Sequence, residues 1–235
     1  MRSSPPDPVA SVAAVVAAAG SGARLGRSTP KALCHLAGEP LLLHAVRTIG
    51  RVGVAHIVVA APPDKVAACS ALLAPVTGDI QLSVVAGRAS RRLSVAACLR
   101  ELGDTELVVV HDAARPLVPL TVFGRVLAAL HAGAEAVVPG IPVTDTIKEV
   151  EDARVLRTLE RGLLYAVQTP QGFTREVLVA AHAAAGDAED ATDDAALVEA
   201  LGVHVSVVEG AAEGFKITGP VDLQLAELVL ANRGS

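Results

Sequence analysis

Three stretches of this chain gather residue types suited to phosphate chemistry, and each follows an apolar run. The first is Ala17-Ala18-Ala19-Gly20-Ser21-Gly22-Ala23-Arg24, which continues to Arg27 and Lys31. Gly20 and Gly22 let backbone N–H groups approach an anion closely, and Arg24, Arg27 and Lys31 supply compensating charge. That combination suits a polyphosphate; the plainer alternative is a glycine turn whose basic residues point into water. The second stretch is Gly87-Arg88-Ala89-Ser90-Arg91-Arg92, with Ser94 one helical turn on. Arg92 reads equally well as a solvated side chain. The third is Val110-His111-Asp112-Ala113-Ala114-Arg115-Pro116. A carboxylate such as Asp112 at a strand's carboxyl end can bind a polyol hydroxyl, help place a metal, or cap the next turn. His111 reads as a packed, hydrogen-bonded histidine and not as a catalyst.

Several familiar chemistries are missing. There is no Ser/His/Asp arrangement, no His-Glu-x-x-His zinc motif and no Gly-x-x-x-x-Gly-Lys-Ser/Thr phosphate loop. The spacing of Gly20, Gly22 and Gly26 loosely matches a dinucleotide-binding fingerprint. That motif needs a helix at once and an acidic residue ending the second strand, whereas Pro30 interrupts here and the second apolar run ends Ala60-Ala61-Pro62-Pro63.

The elements that must position these loops follow from apolar periodicity. Continuous apolar runs at 9–18, 54–61, 80–87, 106–116 and 134–143 predict buried parallel strands. Segments of about a dozen residues between them predict helices, the first opening with Pro40 in its first turn and ending at Gly50. This alternation predicts a doubly wound α/β fold with a mostly parallel, Rossmann-like sheet. Ligands in such sheets lie beyond the carboxyl ends of the strands, so the loops can converge on one anion. The alternation breaks after Pro142. Residues 143–161 alternate polar and apolar with a turn near Glu151–Ala153, which predicts a solvent-facing hairpin arm. An apolar segment at 164–173, a helix near 174–185, an acidic loop at 187–194, another helix, a strand and a terminal helix complete the chain. The acidic loop reads as a solvated connection more readily than as a lid. Residues 1–8 read as a disordered leader, and 9–235 as a single domain with an arm at about 142–163.

Composition narrows the classes further. Hydrophobic residues make up 51% and charged residues 19%, which excludes a disordered chain. With net charge -5, three Phe, one Tyr and no Trp, the chain lacks the basic face and stacking aromatics of a nucleic-acid binder. No uncharged apolar stretch reaches membrane-span length. The apolar run from Val9 resembles a signal peptide only superficially, because Asp7 and three prolines precede it and cleavage would destroy the glycine loop. Cys34, Cys69 and Cys98 form no Cys-x-x-Cys, read as small buried hydrophobes and fit a reducing cytoplasm.

Taken together, these residues resemble the 2-C-methyl-D-erythritol 4-phosphate cytidylyltransferases of the non-mevalonate isoprenoid pathway. The resemblance runs from about Val12 to the terminal helix. It rests on Ala18, Ala19, Gly20, Gly22, Arg24, Pro30 and Lys31 of the first loop and on the unbroken V-H-D-A-A-R-P of 110–116. It continues through D-T-I-K at 145–148, Arg161, T-P-Q at 169–171, T-D-D-A at 192–195, F-K-I-T at 215–218 and P-x-D-L at 220–223. The resemblance implies cytidylyl transfer from CTP to the polyol phosphate with release of pyrophosphate, assisted by Mg²⁺ held mainly by the CTP phosphates and not by protein ligands.

It also implies roles. Arg24 and Lys31 would stabilise the transition state at the triphosphate, and Arg161 and Lys216 would hold the attacking phosphate. Asp112, Arg115, Thr146 and Thr169 would line the polyol-phosphate pocket. Ala18, Ala19, Gly20, Gly22, Gly87, Ser94, Asp112 and Ala113 would border the nucleotide, largely through backbone. The arm would interlock with a second copy in a homodimer, carrying Thr146 and Arg161 toward the partner's site. The sequence departs from the family's pattern at Ala17, Leu33, Arg88, Ala89, Glu213 and Gly214, and Arg88-Ala89 bear on base selection. Another polyol phosphate such as ribitol 5-phosphate, or a nucleotide-binding regulator without turnover, are the alternative readings.

Overall fold

A computed structural model describes residues 11–20, 22, 29–186 and 191–233. The expected leader, Arg24, Arg27 and residues 187–190 of the acidic loop therefore lie outside the described residues. In chain order the elements are β1 (Val12–Ala17), β2 (His35–Leu36), β3 (Glu39–Pro40), α1 (Leu41–Gly50), β4 (His56–Ala61), α2 (Val66–Thr77), β5 (Gln81–Ala86), α3 (Arg91–Leu99), β6 (Leu107–Asp112) and α4 (Leu120–His131). There follow β7 (Ala136–Pro142), β8 (Lys148–Glu151), β9 (Arg154–Thr158), β10 (Tyr165–Val167), β11 (Gln171–Thr174), α5 (Arg175–Ala184), α6 (Asp194–Ala200), β12 (Val205–Glu209) and α7 (Pro220–Arg233).

The main sheet carries the parallel run β5-β4-β1-β6. β11 then pairs antiparallel with both β6 and β7, and β12 adds parallel to β7. The doubly wound, mostly parallel sheet read from the sequence is the one observed. Two details differ. The apolar segment at 164–173 is not one strand but β10 and β11, both antiparallel to β7. Pro40 is not inside α1: it ends the short β3, which pairs with β2, and sits at the helix N-cap. Its fixed φ suits that boundary, and it leaves no backbone N–H unpaired.

Period-two alternation divides the strands between two faces. Ala14, Val16, Ile57, Val59 and Val109 pack under α1, α2 and α4 through Leu42, Val46, Leu73, Phe123 and Val126. Ala13, Val15, Val58, Val108 and Val110 pack under α3, α5 and α6 through Val95, Cys98, Leu178 and Val198. Small residues in β1 and β4 let helices on both sides approach the sheet closely, which suits a core short of aromatics. A third cluster of Cys34, Leu36, Leu41, Leu117, Ile217, Leu223 and Ala226 ties α7 to one end of the sheet. All three cysteines are buried and free. Burial pushes the Cys98 thiol up to about 12, so it behaves as a hydrophobe and not as a nucleophile.

The arm departs from the core. β8 and β9 form a separate two-stranded sheet with every residue exposed. The turn falls at Asp152 and Ala153, both with positive φ, close to the expected place. Leu163 is 75% exposed and Val155 59%.

Candidate active site

Strand register delivers the three loops to one edge. Ala17 of β1 lies opposite Asp112 of β6 and Ala60 of β4, and Ala61 of β4 lies opposite Ala86 of β5. The loops after β1 and β5 meet over the end of β4. A Cβ on Gly87 would stand 2.2 Å from Ala19 Cβ and 3.1 Å from the Ala61 carbonyl oxygen, so only glycine permits this approach. The segment also closes on itself. Ser90 caps α3 by accepting from the Leu93 N–H, and the Ser94 hydroxyl accepts from the Arg88 N–H and donates to the Ser90 carbonyl. Ser94 thus borders the site, as expected, while its hydroxyl is already engaged in shaping the loop.

These loops border a cavity of about 430 Å³. Ala18, Ala19, Gly20, Lys31, Ser94, Asp112 and Ala113 of the expected residues line it, together with Arg88 to Arg91 and Lys216. Gly87 supports its wall from behind. Gly22 lies beside Lys31 with φ of +74°, and the Lys31 N–H closes this loop onto the Gly20 carbonyl at 3.2 Å. The amides of Ala18, Gly87 and Ala113 are committed to the carbonyls of Ala60, Ala61 and Ala17. Those of Ala19 and Gly20 have no protein partner among the described residues and are available to an anion.

A second cavity of about 230 Å³ opens beside the first, lined by Arg115, Thr169, Gln168, Gln171, Thr192 and Asp193. Arg91, Asp112 and Lys216 line both cavities and form the wall between them. Asp112 Oδ1 accepts from Arg91 Nε at 3.0 Å, and Oδ2 accepts from Lys216 Nζ at 2.7 Å. Burial alone would raise the Asp112 carboxyl, but Arg91 and Lys216 outweigh it and hold it far below the usual carboxylate range. Arg91 Nη1 reaches on to Asp194 at 2.7 Å. Burial works against the guanidinium's charge, and the two carboxylates more than restore it.

Behind the wall a chain of hydrogen bonds runs from Asp112 to the segment before α7, leaving the buried Arg115 Nε without a partner among the described residues. The Thr169 hydroxyl accepts from the Asp112 N–H and donates to His111 Nδ1, which leaves His111 Nε2 to donate to the Arg115 carbonyl. This requires a neutral ring, and burial lowers His111 to about 4. His111 is therefore the packed, hydrogen-bonded residue the sequence suggested. Arg115 donates to the carbonyls of Gly214 and Val167. The Ile217 N–H donates to the Ala114 carbonyl, and Asp222 holds the Thr218 and Gly219 amides, which together present Lys216 to Asp112.

Not every expected residue meets the cavities. Thr146 and Arg161 lie exposed on and beside the arm and line neither one; Arg161 donates to the Thr144 carbonyl. Arg24 lies outside the described residues. Arg92, which read as a phosphate-loop or solvated cation, is instead buried and donates to the Ala185 carbonyl at 3.4 Å. Sequence reasoning underrated Arg91, carried Asp194 only as part of T-D-D-A at 192–195 with no role of its own, and missed His182. The two aspartates that end the acidic loop take different parts: Asp193 caps α6, and Asp194 turns inward.

The family model for 2-C-methyl-D-erythritol 4-phosphate cytidylyltransferase (IspD) matches residues 12–232. The chain belongs to this family. It is 53% identical over 95% of its length to the enzyme of that name from Frankia casuarinae, covering 84% of the relative. It is 50% identical over 94% of its length to that of Saccharopolyspora erythraea, covering all of it. The crystal structure of the cytidylyltransferase from Thermus thermophilus superposes with a TM-score of 0.76 at 37% identity, covering 92% of this chain and 98% of that one. The 4-diphosphocytidyl-2C-methyl-D-erythritol synthase from Anaerococcus prevotii superposes with a TM-score of 0.83 at 28% identity, covering 95% and 100%. Of the segments at 110–116 and 169–171, Asp112 stands in the wall between the two cavities, and Arg115, Thr169 and Gln171 line the smaller one.

Proposed function

We propose that this chain transfers the cytidylyl group of CTP to 2-C-methyl-D-erythritol 4-phosphate. Family membership across 12–232 supports the reaction, and one structural observation carries the geometry: two adjoining cavities share a wall of two cations and a carboxylate. In this reading the larger cavity takes the nucleotide and the smaller takes the polyol phosphate. A phosphate oxygen of the substrate attacks the α-phosphorus in line. The new P–O bond forms as the bond to the β-phosphate bridge breaks, and pyrophosphate leaves with the electron pair. A phosphate monoester at neutral pH is already a nucleophile, so no general base is needed; the protein supplies alignment and charge.

The roles in this reading are as follows. The amides of Ala19 and Gly20 with Lys31, and Arg24, take the triphosphate and the charge that grows on the leaving group. Ala18, Gly22, Gly87, Ser94 and Ala113 shape the nucleotide side. Lys216 and Arg161 hold the attacking phosphate, while Asp112, Arg115, Thr146 and Thr169 border the polyol. Thr146 and Arg161 would act in the site of a second copy, reached by the arm in a homodimer. The exposed Val150, Val155, Leu156 and Leu163 support an arm that is covered by a partner.

Mg²⁺, when bound, neutralises triphosphate charge. Among the described residues no cluster of three His, Cys, Asp or Glu could hold a metal. Asp112, the one carboxylate lining the nucleotide cavity among them, already carries two cations. These residues do not make a metal site of their own, so the ion would be carried by the phosphates. No helix among the described residues is long and apolar enough to cross a membrane. A cytoplasmic, single-domain enzyme acting on small molecules and not on nucleic acid completes the reading.

The test is pyrophosphate release with Mg²⁺, pairing CTP, ATP, GTP and UTP with methylerythritol phosphate and with ribitol 5-phosphate. Release with CTP and methylerythritol phosphate alone is expected. Equal release with ribitol phosphate would move the substrate, and CTP binding with no release in any pair would favour a regulator. Lys31→Ala should lower kcat by about 3 kcal/mol in barrier while CTP binding weakens far less. An unchanged kcat would remove Lys31 from the role.

A further inference from the structure

Asp194 is 1% exposed and His182 9%, and neither lines either of the two cavities. Yet they form the closed end of an unbroken polar line. His182 Nε2 donates to Asp194 Oδ1 at 2.9 Å, Asp194 Oδ2 accepts from Arg91 Nη1 at 2.7 Å, Arg91 Nε donates to Asp112 Oδ1, and Asp112 Oδ2 accepts from Lys216. Each carboxylate divides its two oxygens between two partners. A buried carboxylate is costly to keep charged, and nothing in the wall between the cavities touches Asp194 except through Arg91.

The free edge of Arg91 explains what the line does. Nε and Nη2 form the edge of a guanidinium that a carboxylate ordinarily grips with both oxygens. Here only Nε is gripped, and Nη2 is buried without a partner. Asp194, held from behind by His182, fixes Nη1 and so prevents the guanidinium from swinging Nη2 onto Asp112 Oδ2. That oxygen stays available to Lys216. We infer that Asp194 and His182 are positioning residues for the reaction, acting through Arg91 and Asp112 to hold the Lys216 ammonium at the wall between the two cavities. Their kinetic consequence rests on the proposed cytidylyl transfer; their effect on Lys216 does not.

The experiment compares wild type, Asp194→Asn, His182→Gln, Lys216→Met and the double variant Asp194→Asn/Lys216→Met, each checked for folding by circular dichroism. Amine acylation at limiting reagent, read by peptide mass spectrometry, reports Lys216 against Lys65 as the internal control. In Asp194→Asn, Lys216 should be labelled about three-fold faster or more as Arg91 displaces it from Asp112, with Lys65 unchanged. In pyrophosphate release, Asp194→Asn should lower kcat/KM for the polyol phosphate about ten-fold while the KM for CTP stays within about two-fold. In the Lys216→Met background the same substitution should add less than about two-fold, because both changes act on one group.

Unchanged Lys216 labelling, parallel losses for both substrates, or full additivity with Lys216→Met would each overturn the inference. If wild type releases no pyrophosphate, the functional reading fails, and labelling alone decides this one. If Asp194→Asn does not fold, His182→Gln is read in the same assays, and no change there overturns it.

Discussion

Charged groups at the cavity wall are answered deep inside one protomer, whereas those of the arm are answered only by the arm itself. Asp112, Arg91, Asp194 and Lys216 bond one another across β6, α3, α6 and the segment before α7. On the arm, Arg157 pairs with Glu149 and Lys148 bonds Thr158, all exposed, and the apolar Val155 and Leu156 face outward beside them. The first region is a finished piece of protein. The second has spare apolar surface and two expected substrate-binding residues, but lines neither of the two cavities. A site completed between copies would join the two.

Several changes would break or sharpen this contrast. The largest effect is expected at the wall: Asp112→Asn leaves Arg91 and Lys216 under-compensated and should lower unfolding free energy by about 3 kcal/mol, measured by urea denaturation. A loss near zero would mean the wall is not the rigid element described. Next is Gly87→Ala, which drives a methyl group into Ala19 and the Ala61 carbonyl. It should cost about 2 kcal/mol and abolish CTP binding by calorimetry, and retained binding would show that the two loops can part.

Acid should act on the finished region too. His111 is neutral in the fold at about 4, against an ordinary value near 6.5, so the unfolded chain binds the extra proton between those values. Stability is therefore full above pH 6.5 and falls as pH drops toward 4. The loss from His111 between pH 7 and pH 5 is about 2 kcal/mol. His56, also lowered by burial, adds in the same direction. His111→Asn, less stable at pH 7, should show a slope flatter by the His111 share; an identical slope would reject this source.

The smallest effect on stability is expected from the arm. Arg161→Ala should leave the protomer within about 0.5 kcal/mol while impairing use of the polyol phosphate and sparing CTP affinity. Mixing subunits carrying Arg161→Ala with subunits carrying Lys31→Ala should restore about a quarter of wild-type activity, because half the sites of each mixed dimer are then intact. No recovery after confirmed subunit exchange would place Arg161 in its own protomer's site.

Much of this was legible from local pattern. The alternation of apolar runs and amphipathic segments specified the parallel sheet, since each period reflects burial on both faces of a strand or on one stripe of a helix. Gly20, Gly22, Lys31 and Asp112 stood out because their types at and after strand ends are chemically unusual, whereas Lys216 came only from the family resemblance. Arg91, Arg92 and Asp194 were not separable in the same way. Neighbouring arginines at 91 and 92 look alike in a sequence, but the roughly 100° between successive helix positions sends Arg91 to the cavity wall and Arg92 to the Ala185 carbonyl at the end of α5. Likewise Asp193 caps α6, while Asp194 becomes a buried anchor.

The amino-acid order by itself thus determined the fold class, the convergence of the loops on one sheet edge, the family and the solvent-facing arm. These follow from short-range periodicity and from residue types whose backbone freedom or charge has few uses. Only the tertiary structure decided which cation pairs with which carboxylate, that Asp112 stands between two cavities, and that Asp194 and His182 lie behind it. Those pairings join residues as far apart as Asp112 and Lys216, brought together by packing at distances that no local signal encodes.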